Sequence, residues 1–164
     1  MKNILIFICS LMAFGCSYDV YSDGVFHSKA GGHQLFYSDE FSSIENEGDI
    51  IYYLWKNYSY EKESGDEWKE PSKMFKDRAG DCEDYCLLFA NILYTELNIK
   101  ASILVVNMNE EISKTIIDGG AVNHVVVLVG SSLYDPTFGR YVGEIGEFGY
   151  KIGYSYSFDE MFMM

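Results

Sequence analysis

The sequence has few basic residues: 12 Lys and Arg stand against 25 Asp and Glu, for a formal net charge of −13. This acidic balance repels phosphate backbones and anionic lipid headgroups, so it disfavours nucleic-acid binding and electrostatic adsorption to a membrane. The sequence also lacks the glycine-rich motifs that cradle nucleotide phosphates. A neutral or basic substrate is therefore favoured over a nucleotide or a nucleic acid.

No apolar run is long enough to span a bilayer, which takes about 20 residues. The apolar run at residues 4–14 follows Lys2 and predicts an export signal over residues 1–15. The run ends in the sequence A-F-G-C at residues 13–16, which resembles the lipobox of bacterial lipoproteins. That resemblance implies a lipidated Cys16 and a membrane anchor in the cell envelope. A simple secretory signal, giving a secreted protein, is the alternative.

The chain length bounds the domain count. With 164 residues, 48% of them hydrophobic, the chain can bury one ordinary core, which predicts one domain over residues 38–164. Residues 16–37 are rich in Ser, Gly, Tyr and Asp, which is typical of a tether. His27 and His33 lie in this segment, without a Cys or carboxylate cluster at ligand spacing. We interpret both as solvated loop residues and predict neither a metal site nor a cofactor.

Cysteines are also scarce, with four in the chain. If Cys9 leaves with the signal and Cys16 is lipidated, Cys82 and Cys86 remain in the domain. Four residues apart, they would share one helix face, where a disulfide would distort the backbone. An exported domain with free thiols departs from the usual disulfide framework of small secreted proteins. One of these cysteines is therefore a candidate for chemistry.

Helices are predicted in the first half of the chain. Apolar residues at three- and four-residue spacing predict a helix over residues 41–58, with Gly48 weakening its middle. Pro71 predicts the start of a short second helix. The strongest helix is predicted over residues 82–97, with Asp81 as its N-cap and carboxylates in its first turn.

Strands are predicted in the second half. Residues 101–107 and 124–129 are short runs rich in Val and Ile, and Leu133-Tyr134 and the aromatic stretch 138–158 predict further short strands. Residues 110–120 form a polar excursion between the first two. Helices followed by an antiparallel sheet indicate an α+β fold.

Four segments carry the chemistry, and they read W-K-E-P at 68–71, G-D-C-E-D-Y at 80–85, N-H-V-V-V at 123–127 and D-P at 135–136. Together they resemble the bacterial transglutaminase-like cysteine peptidases. The resemblance implies a papain-like, transglutaminase-like core, in which the helix that carries the nucleophile packs on an antiparallel sheet. Carried over by position, it implies Cys82 as nucleophile, His124 as base and Asp135 as the residue that orients the base.

Elementary chemistry supports these roles. A thiolate attacks far better than a thiol, and a helix N-terminus favours ionisation of Cys82. Asp81, Glu83 and Asp84 crowd the same turn with negative charge, which opposes that ionisation. A protonated histidine beside the sulfur would offset them, and His124 is the only histidine outside the tether. We therefore expect the reactivity of Cys82 to depend on His124.

Two further expectations concern geometry. If Gly130 and Ser131 form a two-residue turn, His124 and Asp135 lie on the same face of adjacent strands, whereas a shift of one residue would separate them. The backbone N–H of Cys82 is a candidate donor to the oxyanion of an acyl-transfer intermediate, and the indole N–H of Trp68 is a second. Packing is an equally good explanation for Trp68.

The predicted activity is acyl transfer from a peptide or amide bond in a peptide or protein substrate. Water or an amine can resolve the thioester, and we take hydrolysis as the default; no calcium-binding loop motif is present. The alternative is a catalytically silent surface module that binds a protein or a glycan. Aromatic residues near the C-terminus would suit such a binding face or an ordinary core, and they include Tyr150, Tyr154, Tyr156 and Phe158. The sequence leaves the oligomeric state open.

Overall fold

The computed structural model describes residues 31–62, 67–107, 123–145 and 151–163. The helices within these ranges are α1 Glu47–Asn57, α2 Pro71–Asp77, α3 Cys82–Leu97 and α4 Phe158–Met161, and a short 3-10 helix covers Asp39–Phe41. The strands are β1 His33–Gln34, β2 Ser59–Tyr60, β3 Ala79–Gly80, β4 Ser102–Asn107, β5 Asn123–Val129, β6 Ser132–Asp135, β7 Arg140–Glu144, β8 Lys151–Tyr156 and β9 Phe162–Met163. Of the helices described, none has the length and apolar character needed to cross a membrane.

The centre of the fold is a five-stranded sheet in the order β7-β6-β5-β4-β8, in which every neighbouring pair is antiparallel. Helix α3 packs on one face, where its buried Cys86 and Phe89 share a core with Val125 and Val127 of β5. The opposite face carries a second, smaller apolar cluster that includes Val126. This arrangement confirms the predicted α+β class, with α1, α2 and α3 preceding the five-stranded sheet.

Helix α3 has the predicted span and the predicted cap. The backbone N–H of Asp81 donates to Oδ2 of Asp84 at 3.3 Å, as in a capping box. Asn98 caps the C-terminus of the helix: it is a left-handed residue (φ 54°) whose N–H donates to the carbonyls of Leu93 and Tyr94. Residues 83–93 are all buried. The helix is therefore held by core contacts from its first turn, and its N-terminus has a fixed position.

The predicted helix over residues 41–58 is shorter in the structure. It begins at Glu47 because Asn46 caps it: Oδ1 of Asn46 accepts from the N–H of Asp49 at 3.1 Å, and Oδ2 of Asp49 accepts from the N–H of Asn46 at 3.2 Å. Gly48 consequently lies in the first turn rather than the middle. Trp55, one of the apolar residues at the three- and four-residue spacing that predicted this helix, is 67% exposed.

The prediction that His33 is a solvated tether residue is wrong. His33 is only 4% exposed, and its Nδ1 lies 3.2 Å from Oε1 of Glu70. β1 pairs in parallel with β9, and the N–H of Phe36 donates to Oδ1 of Asn91 at 2.8 Å. Residues 33–36, assigned to the tether, therefore pack on the domain, because strand pairing and these hydrogen bonds satisfy their backbone. Cys16, His27, the predicted signal at 1–15 and the excursion at 110–120 lie outside the described residues.

The register of β5 and β6 agrees with the prediction. Val129 pairs with Ser132 across the turn of Gly130 and Ser131, and Leu128 pairs with Leu133. Gly130 has φ of 62°, the left-handed region that tight hairpin turns require. With this register, His124 and Asp135 fall on the same face of the sheet.

Candidate active site

The sheet brings His124 and Asp135 together. Nε2 of His124 lies 3.0 Å from Oδ2 of Asp135, and both side chains are buried. A carboxylate accepts hydrogen bonds, so Nε2 carries the hydrogen in this pair and Nδ1 is the ring nitrogen that can accept a proton. A histidine held in this tautomer is suited to act as a general base through Nδ1.

The carboxylate of Asp135 has further partners in the turn after β6 and at the start of β7. Its Oδ1 accepts from the backbone N–H of Phe138 at 3.4 Å, and Nη2 of Arg140 lies 3.9 Å from its Oδ2. The ring of Phe138 lies 5.5 Å from the imidazole of His124. These contacts fix the orientation of Asp135 and, through it, that of His124.

Close packing before α3 fixes the position of Cys82. A Cβ atom added at Gly80 would lie 2.6 Å from Oδ2 of Asp84 and 2.7 Å from Sδ of Met74, so only glycine fits between α2 and α3. Cys82 follows as the first residue of α3. Its backbone N–H is therefore one of the helix-end donors without an intrahelical partner. This geometry supports the predicted oxyanion role of that N–H.

The thiol of Cys82 lies beside β5. The backbone N–H of Val125, the residue that follows His124, acts on the thiol and lowers its pKa. One turn further along α3, the Sγ of Cys86 donates to the carbonyl oxygen of Val125 at 3.3 Å. Cys82 is a free thiol of intermediate burial, while Cys86 is fully buried. Cys82 thus packs beside the strand that carries the residue predicted as its base.

The side-chain partner of Cys82 is Glu83 rather than His124. Sγ donates to Oε2 of Glu83 at 3.2 Å, and no hydrogen bond to His124 is present among the described contacts of the thiol. Burial raises the pKa of Cys82 well above its ordinary value, and the charges of Glu83 and Asp81 raise it further. The N–H of Val125 lowers it in part. The expected opposition of carboxylates is therefore present, and the resting group is a thiol rather than half of an ion pair.

Asp84 differs from the other two carboxylates of this turn because a lysine neutralises it. The backbone N–H of Lys69 donates to Oδ1 of Asp84 at 2.7 Å, and Nζ of Lys69 lies 3.3 Å from Oδ2. Burial raises the pKa of Asp84 to about 6, although the hydrogen bond from the N–H of Lys69 and the charge of Lys69 act to lower it. Asp84 therefore completes the capping box and holds Lys69 in place. Asp81 and Glu83 are the carboxylates whose charges raise the pKa of the Cys82 thiol.

Glu83 is expected to restrain the reactivity of Cys82. Substituting Glu83→Gln removes a charge and the carboxylate acceptor that favours the protonated thiol, so the pKa of Cys82 should fall and more thiolate should form at a given pH. Iodoacetamide alkylation of Cys82 across the pH range measures this, with Glu47→Gln in the first turn of α1 as the matched control. An unchanged or upward-shifted alkylation curve would show that Glu83 does not restrain the thiol.

Trp68, predicted as a second oxyanion donor, is part of the core. Its ring meets that of Tyr156 edge to face at 5.4 Å, and the side chain is buried. The structure thus provides the packing role that was the alternative for this residue, and its donor role stays a prediction. Within the described ranges, no group of three or more His, Cys, Asp and Glu side chains is arranged to hold a metal ion.

Sequence reasoning missed three contacts at this site, namely the acceptor role of Glu83 towards the thiol, the N–H of Val125 and the approach of Arg140 to Asp135. The sequence predicted that the charge of Glu83 opposes ionisation of Cys82, but not that its carboxylate accepts a hydrogen bond from the thiol. Its proximity to Cys82 in the sequence was a usable signal, whereas the other two contacts depend on tertiary packing.

A comparison with protein-family models agrees with this architecture. A family model described as Transglutaminase-like domain matches residues 34–147. Among solved structures, a Cytophaga hutchinsonii protein provisionally named a cysteine protease is similar, at 20% sequence identity and a TM-score of 0.45. The match covers 72% of this chain and 45% of that protein, so the chain spans less than half of its length. No curated protein shows a significant match to the chain.

Proposed function

Because the chain belongs to the transglutaminase-like domain family, we propose that it is a cysteine peptidase or amidase that transfers an acyl group from a peptide or amide bond to Cys82. The observation that carries the proposal is the buried His124–Asp135 pair at 3.0 Å, in the strand whose next residue, Val125, lowers the pKa of the Cys82 thiol. A base held in one tautomer beside a thiol at a helix N-terminus is the arrangement that nucleophilic catalysis requires.

The proposed reaction has two stages. Sγ of Cys82 attacks the carbonyl carbon while its proton passes to Nδ1 of His124, and the carbonyl electron pair moves onto oxygen. When the tetrahedral intermediate collapses, the amine leaves with the proton from His124, and a thioester to Cys82 remains. Water, activated by the same imidazole, then hydrolyses the thioester. An amine in place of water would give transamidation.

Because the resting group is a thiol that donates to Glu83, this hydrogen bond must break before Cys82 attacks the substrate. In the structure Sγ donates to Glu83, so the proton must turn from that carboxylate to His124 when substrate arrives. General-base catalysis of this kind needs no preformed thiolate, which accommodates the raised pKa of Cys82.

Turnover of p-nitrophenyl acetate tests the activity and separates it from a silent binding module. We expect p-nitrophenol release to exceed one equivalent per chain, to disappear in Cys82→Ala and to persist in Cys86→Ala, the matched control on the same helix. Adding glycine ethyl ester distinguishes transamidation, which would form an acetylated amine. Release that is equal in wild type and Cys82→Ala would favour the binding module instead.

We also propose that the protein is exported and anchored through lipid on Cys16. The supporting feature is the sequence of residues 1–16, which combines a positive start, a short apolar run and the lipobox-like ending. In a bacterial host that expresses the full chain, a fatty-acid label should be incorporated into wild type and Cys9→Ala but not into Cys16→Ala. A wild-type chain without label that is released from cells would support the secreted form.

A further inference from the structure

We infer that Tyr60 is a further catalytic residue, whose hydroxyl donates a hydrogen bond to the substrate carbonyl oxygen as Cys82 attacks. The inference rests on the proposed acyl transfer and adds a second donor beside the backbone N–H of Cys82. Its basis is the place of Tyr60 in the fold, where a short strand pairing brings it next to the start of α3.

The pairing of β2 with β3 determines that place. The two strands are parallel, and Tyr60 is in register with Gly80, two residues before Cys82. The N–H of Glu61 donates to the carbonyl oxygen of Gly80 at 2.9 Å, which holds the strands together where α3 begins. Tyr60 therefore runs alongside the segment that positions the nucleophile.

The side chain of Tyr60 is open to solvent. Tyr60 is 50% exposed, so a substrate approaching Cys82 from solvent can reach it. Burial of the remainder raises the pKa of its phenol to about 12, and the charge that Cys82 carries as a thiolate, followed by the charges of Asp81 and Glu83, acts in the same direction. The phenol thus belongs to a residue paired with Gly80, just before α3, and it keeps its proton throughout the neutral pH range.

A neutral donor is what this environment requires. An oxyanion that forms at Cys82 is repelled by Asp81 and Glu83, so it needs hydrogen bonds aimed at it. Tyr60 makes no side-chain hydrogen bond with another described residue, and its hydroxyl is therefore available to a substrate. Trp68, by contrast, is only 6% exposed and packs against Tyr156.

The role of Tyr60 leaves the proposed chemistry balanced. The Sγ–C bond forms as the carbonyl electron pair moves to oxygen, and the thiol proton goes to His124. Tyr60 keeps its own proton and donates a hydrogen bond to the charged oxygen. When the intermediate collapses, the electron pair re-forms the carbonyl, the leaving group departs and the hydrogen bond weakens.

Two reactions of the same thiol separate this role from general effects on Cys82. Acetylation by p-nitrophenyl acetate passes through an oxyanion, whereas alkylation by iodoacetamide does not. In Tyr60→Phe we expect acetylation of Cys82 to slow by about tenfold or more while alkylation keeps its wild-type rate. Tyr52→Phe, an exposed tyrosine on α1, is the matched control and should change neither rate.

The other outcomes identify which claim fails. Equal acetylation rates in wild type and Tyr60→Phe would overturn the role of Tyr60 and leave the proposed acyl transfer intact. Equal slowing of acetylation and alkylation would also overturn it, because Tyr60 would then act on the thiol and not on the oxyanion. Wild-type chain that is alkylated but not acetylated at Cys82 would overturn the acyl transfer itself.

Discussion

His124→Ala should slow acyl transfer to Cys82 by about 10³-fold or more, because removing a general base from a nucleophile pair costs nearly as much as removing the nucleophile. The effect should be large because the thiol has a raised pKa and negative neighbours, so little thiolate forms without a base. The rate of p-nitrophenol release under single-turnover conditions measures the change.

The control for this substitution is His33→Ala, which removes the other described histidine from the same domain. His33 contacts Glu70, so its loss should affect stability rather than the acyl-transfer rate of the folded protein. Thermal unfolding of both variants confirms that each is folded at the assay temperature. A His124→Ala rate within threefold of wild type would remove His124 from the mechanism.

Asp135→Asn should reduce acyl transfer by about 10²-fold or more, although it preserves shape. Asp135 accepts from Nε2 of His124, which leaves Nδ1 to act as the base. An asparagine that turns its NH₂ group towards Nε2 favours the opposite tautomer, with the proton on Nδ1, where it blocks acceptance of the thiol proton.

The loss in Asp135→Asn should appear in the rate of the chemical step and not in substrate affinity, so kcat falls while KM stays near the wild-type value. Asp159→Asn, an exposed residue paired with Lys100, is the matched control and should leave both constants unchanged. Wild-type kcat in Asp135→Asn would mean that the His124–Asp135 pair is structural.

The elements that the sequence predicts well are those with strong local signals. The span of α3 follows from its apolar stripe and the cap at Asp81, and it matches the structure. The register of β5 and β6 follows from a two-residue turn containing Gly130, because a hairpin turn determines which residues face each other. These local signals suffice to place His124 beside Asp135.

The parts that the sequence could not predict depend on contacts between distant segments. His33 is buried because β1 pairs with β9 near the opposite end of the chain, and no local pattern indicates that pairing. The apolar spacing over residues 41–58 continues through the N-cap at Asn46, so it does not reveal that the helix begins only at Glu47. Trp55 has the same apolar spacing but remains exposed, because hydrophobicity alone does not decide burial.

The candidate site divides in the same way. Cys82, His124 and Asp135 were identified from motifs, and the structure brings the last two into contact while placing the first beside Val125. The thiol's bond to Glu83 was not predicted, because the sequence gives the charge of a neighbour but not the direction of its side chain. The position of Tyr60 alongside Gly80 depends on a two-residue parallel pairing, which is too short to leave a pattern in the sequence.

The central claim is that Cys82 becomes acylated with the help of His124, and mass-spectrometric mapping of the acyl group tests it most directly. After brief exposure to p-nitrophenyl acetate and acid quench, we predict one acetyl group on the peptide that contains Cys82 in wild type, and almost none in His124→Ala at the same time point. Acetylation spread over surface lysines, or equal acetylation of Cys82 in both proteins, would contradict the account.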